Sequence, residues 1–321
     1  MSFPKILAVG GAHIDRRGRI TGAYVPGASN PGVMAEDVGG GAFNALRNAI
    51  RRGARGSLMS VRGGDAAGET VSRAIVRAGI ADLSAIFLDR TTPSYTALLD
   101  REGDVIAALA DMALYETAFA KQLRRASFRA AAADADALLC DANLPADALA
   151  RLAAGKPLFA IAISPAKVLR LSETLETLSC LFMNFREAAC LGGLSDDASV
   201  DEIVARLRSM GLSSAVISHG GAPTVAFDRS NIFSMMPPPP RKIADVTGAG
   251  DALAGVTTVA LLRGLPLGEA LREGMAAAML AVESQASVPE FSAGAFTAAL
   301  ALVPKAEALH QGGRIGETND A

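Results

Sequence analysis

The chain has 321 residues, 31 Lys and Arg against 33 Asp and Glu, a formal net charge of -2 and 50% apolar residues. That length supplies a substantial core, in one large domain or two modest ones. The near-neutral balance gives no basic field for nucleic-acid phosphates, and the composition excludes disorder, collagen, coiled coil and mucin-like stalks.

Met1–Pro4 runs straight into Ile6-Leu7-Ala8-Val9, too short an apolar stretch, and without a basic lead, for a signal peptide. The first predicted strand is Ile6–Gly10. The segment Arg19–Val38 then breaks the pattern with Gly22, Pro26, Gly27, Pro31 and Gly32. A helix over Ala42–Arg52, a strand over Gly56–Val61 and a helix over Ala67–Ala78 follow. Ser94–Asp100 and Asp104–Ala110 flank Arg101-Glu102-Gly103, a hairpin signal with Gly in the turn. With the Arg19–Val38 segment they predict a small antiparallel sheet covering one end of the main layer. Strands over Ala137–Asp141, Leu158–Ile163, Leu181–Asn184 and Ala215–Ser218 alternate with helices over Ala146–Ala153, Arg186–Leu191 and Val200–Met210. Gly53, Gly79 and Gly211 stand where helices close. Pro237–Pro240 is a stiff connector. Helices over Ala252–Arg263, Leu267–Ser284 and Ala293–Leu302 precede a polar tail, 305–321. This alternation is that of an α/β fold with a mainly parallel sheet.

No apolar stretch reaches the roughly 20 residues that span a bilayer. The expected setting is therefore cytoplasmic, with neither membrane nor nucleic acid as partner. Cys140, Cys180 and Cys190 show no C-x-x-C spacing, and their odd number argues for buried reduced thiols on or beside core strands. His13, His219 and His310 lack metal-ligand spacing. Arg47, Arg51, Arg52 and Arg55 read as a solvated helix face.

The chemistry concentrates in Asp245-Val246-Thr247-Gly248-Ala249-Gly250-Asp251. A Gly-rich turn opening a helix is an anion site, because its N–H groups lack intrahelical partners and the helix dipole adds partial positive charge. Asp251, at that helix start, has two readings. It is an ordinary N-cap, contributing about 1 kcal/mol, or it takes the proton of a hydroxyl attacking a phosphoryl group held by the adjacent N–H array. The Walker and protein-kinase signatures are absent.

The Asp245–Asp251 segment resembles the C-terminal signature of the ribokinase-like (PfkB) family of carbohydrate and nucleoside kinases. Gly39-Gly40-Gly41-Ala42-Phe43-Asn44-Ala45 resembles its N-terminal glycine signature, Asn184-Phe185-Arg186-Glu187 its N-x-x-E, and Gly11-Ala12-His13-Ile14-Asp15 its first-strand end. The four come in family order and span Ile6 to about Leu302. The resemblance implies a ribokinase-like three-layer α/β/α domain over 1–304 with a β lid at about 19–38 and 94–110. It also implies a phosphotransferase using ATP and Mg2+, and a homodimer formed through the lid. Residue by residue, it makes Asp251 the catalytic base and Gly248, Ala249 and Gly250 the anion hole. It makes Asp15, Gly39, Gly40 and Asn44 sugar contacts, with Asn143 beside the substrate, and puts Asn184, Glu187, Ser218, Gly220 and Thr247 along the nucleotide, Glu187 reaching Mg2+ through water. Backbone oxygens of Asp245 and Thr247 with the Ser284–Ser287 region match a monovalent-cation loop, although the short Ala286–Pro289 portion leaves K+ activation open.

Gly41 and His13 stand where ribokinase has Lys and Asn, which points away from plain ribose. Asn30 in Ser29–Gly32, Ser94 and Tyr95 in Thr92–Tyr95, and Asp111 in Ala110–Met112 resemble the pseudouridine-phosphorylating members, which implies the 5′-hydroxyl of that C-nucleoside as acceptor. The alternative is another sugar or nucleoside acceptor, and, in a different class, a silent ligand-binding regulator. His13 either donates to substrate or is a hydrogen-bonded, partly buried histidine.

Overall fold

The computed structural model describes residues 3–152 and 155–309. Chain order begins with β1 (Lys5–Val9), β2 (His13–Ile20), β3 (Gly32–Gly39), α1 (Gly41–Arg51), β4 (Arg55–Met59), β5 (Val61–Gly63) and α2 (Ala66–Arg77). Next come β6 (Ala81–Asp82), β7 (Ala85–Phe87), β8 (Ser94–Leu99), β9 (Val105–Asp111), α3 (Ala113–Gln122), α4 (Ala126–Asp134), β10 (Ala137–Asp141) and α5 (Ala146–Leu152). The central part holds β11 (Leu158–Ile161), α6 (Pro165–Val168), β12 (Leu178–Asn184), α7 (Phe185–Gly192), α8 (Val200–Ser209) and β13 (Ala215–His219). The chain continues through β14 (Ala222–Phe227), β15 (Ile232–Met235), α9 (Ala249–Leu262), α10 (Leu267–Val282), α11 (Ala293–Leu302) and β16 (Glu307–Leu309).

The main sheet has the order β16-β15-β14-β13-β12-β11-β10-β1-β4-β6, parallel from β13 to β6 and antiparallel in the β14–β16 edge. Both its faces are buried, which is why its parallel strands read as continuous apolar runs. Alternate residues of β1 go to opposite faces. Ile6 and Ala8 join a core with α1, α2, α9, α10 and α11, while Leu7 and Val9 join one with α3, α4, α5, α7 and α8. The result is the expected three-layer α/β/α arrangement. Helix starts are locally encoded: Asn184/Glu187 and Ser199/Glu202 form reciprocal capping boxes on α7 and α8. Cys140 and Cys180 are buried in strands as expected; Cys190 is half-buried on α7, its Sγ donating to the Pro165 carbonyl.

A separate four-stranded sheet, β3-β2-β8-β9, forms the lid. It differs from the expectation in two ways. It begins at His13, not Arg19, and its central pair, β2 and β8, is parallel. Arg16, Arg17, Gly18 and Arg19 hide the alternation of β2, because this strand spans the seam between lid and body and is only partly covered. Residues 307–309 of the polar tail form an edge strand on β15; residues 310–321, and Ala153 of the expected fifth-helix end, lie outside the described residues. Arg47, Arg51 and Arg52, on and just after α1, are also less solvated than expected, whereas Arg55 is exposed. Arg52 lies 3.7 Å over the Phe296 ring and pairs with Glu273, and Arg47 lies 5.2 Å from the Phe43 ring.

Candidate active site

The glycine bend sits at the start of α9. Gly248 is the N-cap, in the left-handed region at φ 81°, and an added Cβ there would stand 2.2 Å from the Ser287 carbonyl oxygen. Gly at this position is therefore required by both conformation and space. The α9 axis starts at Ala249, three residues earlier than the sequence suggests, so Asp251 is the third residue of the helix and caps nothing. Among the described residues the amides of Gly250 and Asp251 donate to no protein acceptor. Gly250 is exposed, so these N–H groups point a helix N-terminus at solvent-accessible space.

Asp251 is half-covered, and its Oδ2 accepts from Asn44 Nδ2 at 3.0 Å. Burial pushes its carboxyl up to about 7; the Asn44 hydrogen bond opposes this, and the charges of Asp141, Asp15 and Glu187 add to it. The charges of three carboxylates thus bear on Asp251, and a carboxyl pushed up to about 7 has the proton affinity that suits a general base at neutral pH. The remaining amide oxygen of Asn44 is buried without a partner.

Asp15 and His13 lie on β2, after the turn that follows β1, and not at the end of β1 itself. Asp15 Oδ2 fills the space a Gly39 side chain would need, 1.8 Å from an ideal Cβ. Gly40 backs onto the Gly11 carbonyl in the same way, at 2.2 Å. His13 is buried, with Nδ1 3.1 Å from the Tyr115 hydroxyl and Nε2 3.3 Å from Asp15 Oδ1. Tyr115 accepts the Ala12 amide at 2.9 Å. Its own proton then goes to Nδ1, and Nε2 is left facing Asp15. The structure thus shows His13 as a buried histidine hydrogen-bonded to Tyr115, with its other ring nitrogen beside Asp15.

The register of the lid sorts the remaining candidates. Tyr95 pairs with Asp15 across β2 and β8 and shares its face, whereas Ser94 pairs with Ile14 and Asp111, on the opposite face. The Asn30 side chain is spent on its own loop, accepting from Val25 N at 2.8 Å and donating to the Val25 and Ala28 carbonyls at 2.9 Å each. It lies beyond the Ile20–Gly32 end of the hairpin, away from the His13–Gly39 end. Asn143 is buried, and its Oδ1 accepts from Lys167 Nζ at 2.6 Å.

On the other side of the bend, Asn184 and Ser218 are register partners at the carboxyl ends of β12 and β13, where open α/β sheets bind ligands. Gly220 turns the chain at φ 59°. His219 stacks on Phe185 at 4.4 Å. Glu187 is buried, with Oε2 accepting the Asn184 amide at 2.7 Å; burial pushes its carboxyl up against that bond. One oxygen so engaged suits an outer-sphere role better than direct ligation. Among the described residues no three His, Cys, Asp or Glu groups come together to hold a metal. Any Mg2+ would take most of its ligands from phosphate and water. Gly248 packs against Ser287, so the two loops assigned to a monovalent cation are in contact.

Two residues escape sequence reasoning. Asp141, fully buried at the end of β10, accepts from Gly11 N at 3.0 Å, Ala42 N at 2.8 Å and Asn143 N at 3.0 Å. It joins the β1–β2 turn, the start of α1 and the β10 loop around one carboxylate. Its position at a strand's carboxyl end was the available signal. Tyr115, fully buried on α3, carried none.

The description "pfkB family carbohydrate kinase" matches residues 4–290. Pseudouridine kinase of Escherichia coli (strain K12) is 28% identical over 312 residues, 95% of this chain and 98% of that protein. Among solved structures, a carbohydrate kinase from Agrobacterium tumefaciens aligns with a TM-score of 0.84 and 45% identity over 96% of this chain and 100% of its own. Arabidopsis thaliana ribokinase, complexed with ribose and ATP, gives a TM-score of 0.81 at 20% identity, over 94% and 99% of the two chains, a likeness of fold alone.

Proposed function

The chain belongs to the pfkB family of carbohydrate kinases and is a phosphotransferase with an alcohol acceptor, and we propose that it transfers the γ-phosphoryl group of ATP to the 5′-hydroxyl of pseudouridine. The observation that carries the reaction is Asp251: a carboxylate titrating at about 7, next to unpartnered amides at a helix start. The likeness to a pseudouridine kinase over nearly its whole length supports the acceptor.

Asp251 takes the 5′-hydroxyl proton as that oxygen attacks phosphorus. The Gly248, Ala249 and Gly250 backbone faces the charge on the phosphoryl oxygens, with fixed N–H dipoles that need no reorganisation. Asn44 holds Asp251 in place, and Asp15, oriented by His13, accepts from the ribose hydroxyls over Gly39 and Gly40. Tyr95, on the same lid face, packs on the base. Asn184, Ser218, Gly220 and Thr247 run along the ATP phosphates. Mg2+, when bound, would neutralise phosphate charge, and Glu187 would hold one of its waters. The lid closes over the acceptor and excludes water. It also pairs with a second copy: Met34, Leu98 and Leu109 expose apolar surface on its outer face.

A panel of pseudouridine, uridine, cytidine, adenosine and ribose, each with ATP, tests this reading. Pseudouridine should exceed the others in kcat/KM, and ribose or adenosine ahead by about tenfold would overturn the acceptor. Asp251→Asn should lose at least about 100-fold in kcat; a wild-type rate would clear Asp251 of its role.

A further inference from the structure

Arg17 follows Asp15 by two residues on β2, so both side chains leave the same face of the lid strand, about 7 Å apart along it. Asp15 turns to the acceptor side. Arg17 crosses to the body, where its Nη1 donates to Asp245 Oδ2 at 2.5 Å. The two side chains are 27% and 25% exposed, sheltered enough for a charge-assisted bond to hold. Asp245 spends its other oxygen on the Thr247 amide, at 2.8 Å, and Thr247 leads directly into Gly248. One carboxylate therefore joins the lid strand to the entrance of the glycine bend.

This pair has no substitute. Of the ion pairs among the described residues, it alone connects a lid strand to the body. The entrance segment is otherwise thinly held. Ile243 is 73% and Val246 68% exposed, and the backbone is tied through the Ala244 and Asp245 amides to the Val282 carbonyl. Thr247 is exposed and keeps its place through Asp245.

We propose that Arg17 is a positioning residue that relays occupancy of the acceptor site to the phosphate cradle: acceptor drawn onto Asp15 seats the strand, the strand seats Arg17 on Asp245, and Asp245 fixes Thr247 and Gly248. This rests on the reading of Asp15 as the acceptor contact and of the bend as the phosphate site. A strand transmits such a displacement because its hydrogen-bonded neighbours on both sides keep it stiff, and β2 is paired with both β3 and β8 along its length.

The test compares Arg17→Gln, Arg17→Lys, Asp245→Asn and the Arg17→Gln/Asp245→Asn double variant in the full chain. Asn at 245 keeps an oxygen for the Thr247 amide while removing the charge. Each of Arg17→Gln and Asp245→Asn should lower kcat for ATP and pseudouridine by about tenfold with KM for pseudouridine within about threefold, and the double variant should be no worse than the poorer single. Arg17→Lys should recover part of the loss. Losses that multiply, or Arg17→Gln within about twofold of wild type, would overturn the relay. Hydrogen exchange of the ligand-free protein supplies a readout independent of turnover: Arg17→Gln should speed exchange over 246–250 without lowering Tm. Unchanged exchange there sinks the relay whatever the kinetics. Faster exchange in a protein that phosphorylates no member of the panel sinks the acceptor reading and leaves the Arg17–Asp245 link standing.

Discussion

Asp251 carries a proton through most of the acid range because burial and three neighbouring carboxylates disfavour its charge. The consequence for rate has a definite sign. As a base it must be ionised, so kcat/KM should rise about tenfold per pH unit up to about pH 7 and level off above it. The consequence for stability runs the other way. With a native value of about 7 against an ordinary 3.8, the folded state binds more protons between those values, so this group's contribution falls as pH climbs from about 4 through 7. Asp251→Asn removes the penalty. Its Tm relative to wild type should therefore increase from pH 4 to pH 8, and a difference that does not change with pH would contradict the assignment.

At the level of elements, the site depends on how closely α9 lies on α1. A Cβ at Gly255 would stand 2.1 Å from the Ala45 carbonyl, one residue from Asn44, the partner of Asp251. Gly255→Ala should cost about 1–3 kcal/mol by overpacking and lower kcat by shifting Asp251 from Asn44; thermal melts and turnover check both halves. That dependence also shows what a sequence displays. The bend, the Gly39–Asn44 signature and the Asn184–Glu187 cap are local patterns, and the strand Ala137–Asp141 and helix Ala293–Leu302 are legible to both ends. Strand β2 was not, since three arginines and a glycine mask its alternation. Helices α3 and α4 were missed too: both follow the lid hairpin without a clear apolar stripe, and α4 is largely alanine. Tyr115 and Asp141 reach their partners across 103 and 130 residues, and no local spacing announces contacts of that range.

For the molecule as a whole, the division of labour is between two sheets. The body holds the Gly248–Gly250 bend and Asp251, and the lid holds Asp15. No described helix is long and apolar enough to cross a membrane. The exposed apolar side chains of the lid, Met34, Leu98 and Leu109, gain a cover where two copies pair. In the proposed dimer that cover is a second lid. Sedimentation should give twice the chain mass, and Met34→Glu with Leu109→Lys should return a monomer; a wild-type monomer at micromolar concentration would refute the pairing.

The main sheet ends in a similar matter of exposure. Strand β15 would be its open border but for Glu307–Leu309, which pairs with Ile232–Ser234. Three residues thus occupy backbone donors and acceptors that would otherwise recruit strands from neighbouring molecules. The last stretch of described chain serves as a selvedge, and trimming it would be felt first as loss of colloidal stability and only later as loss of turnover.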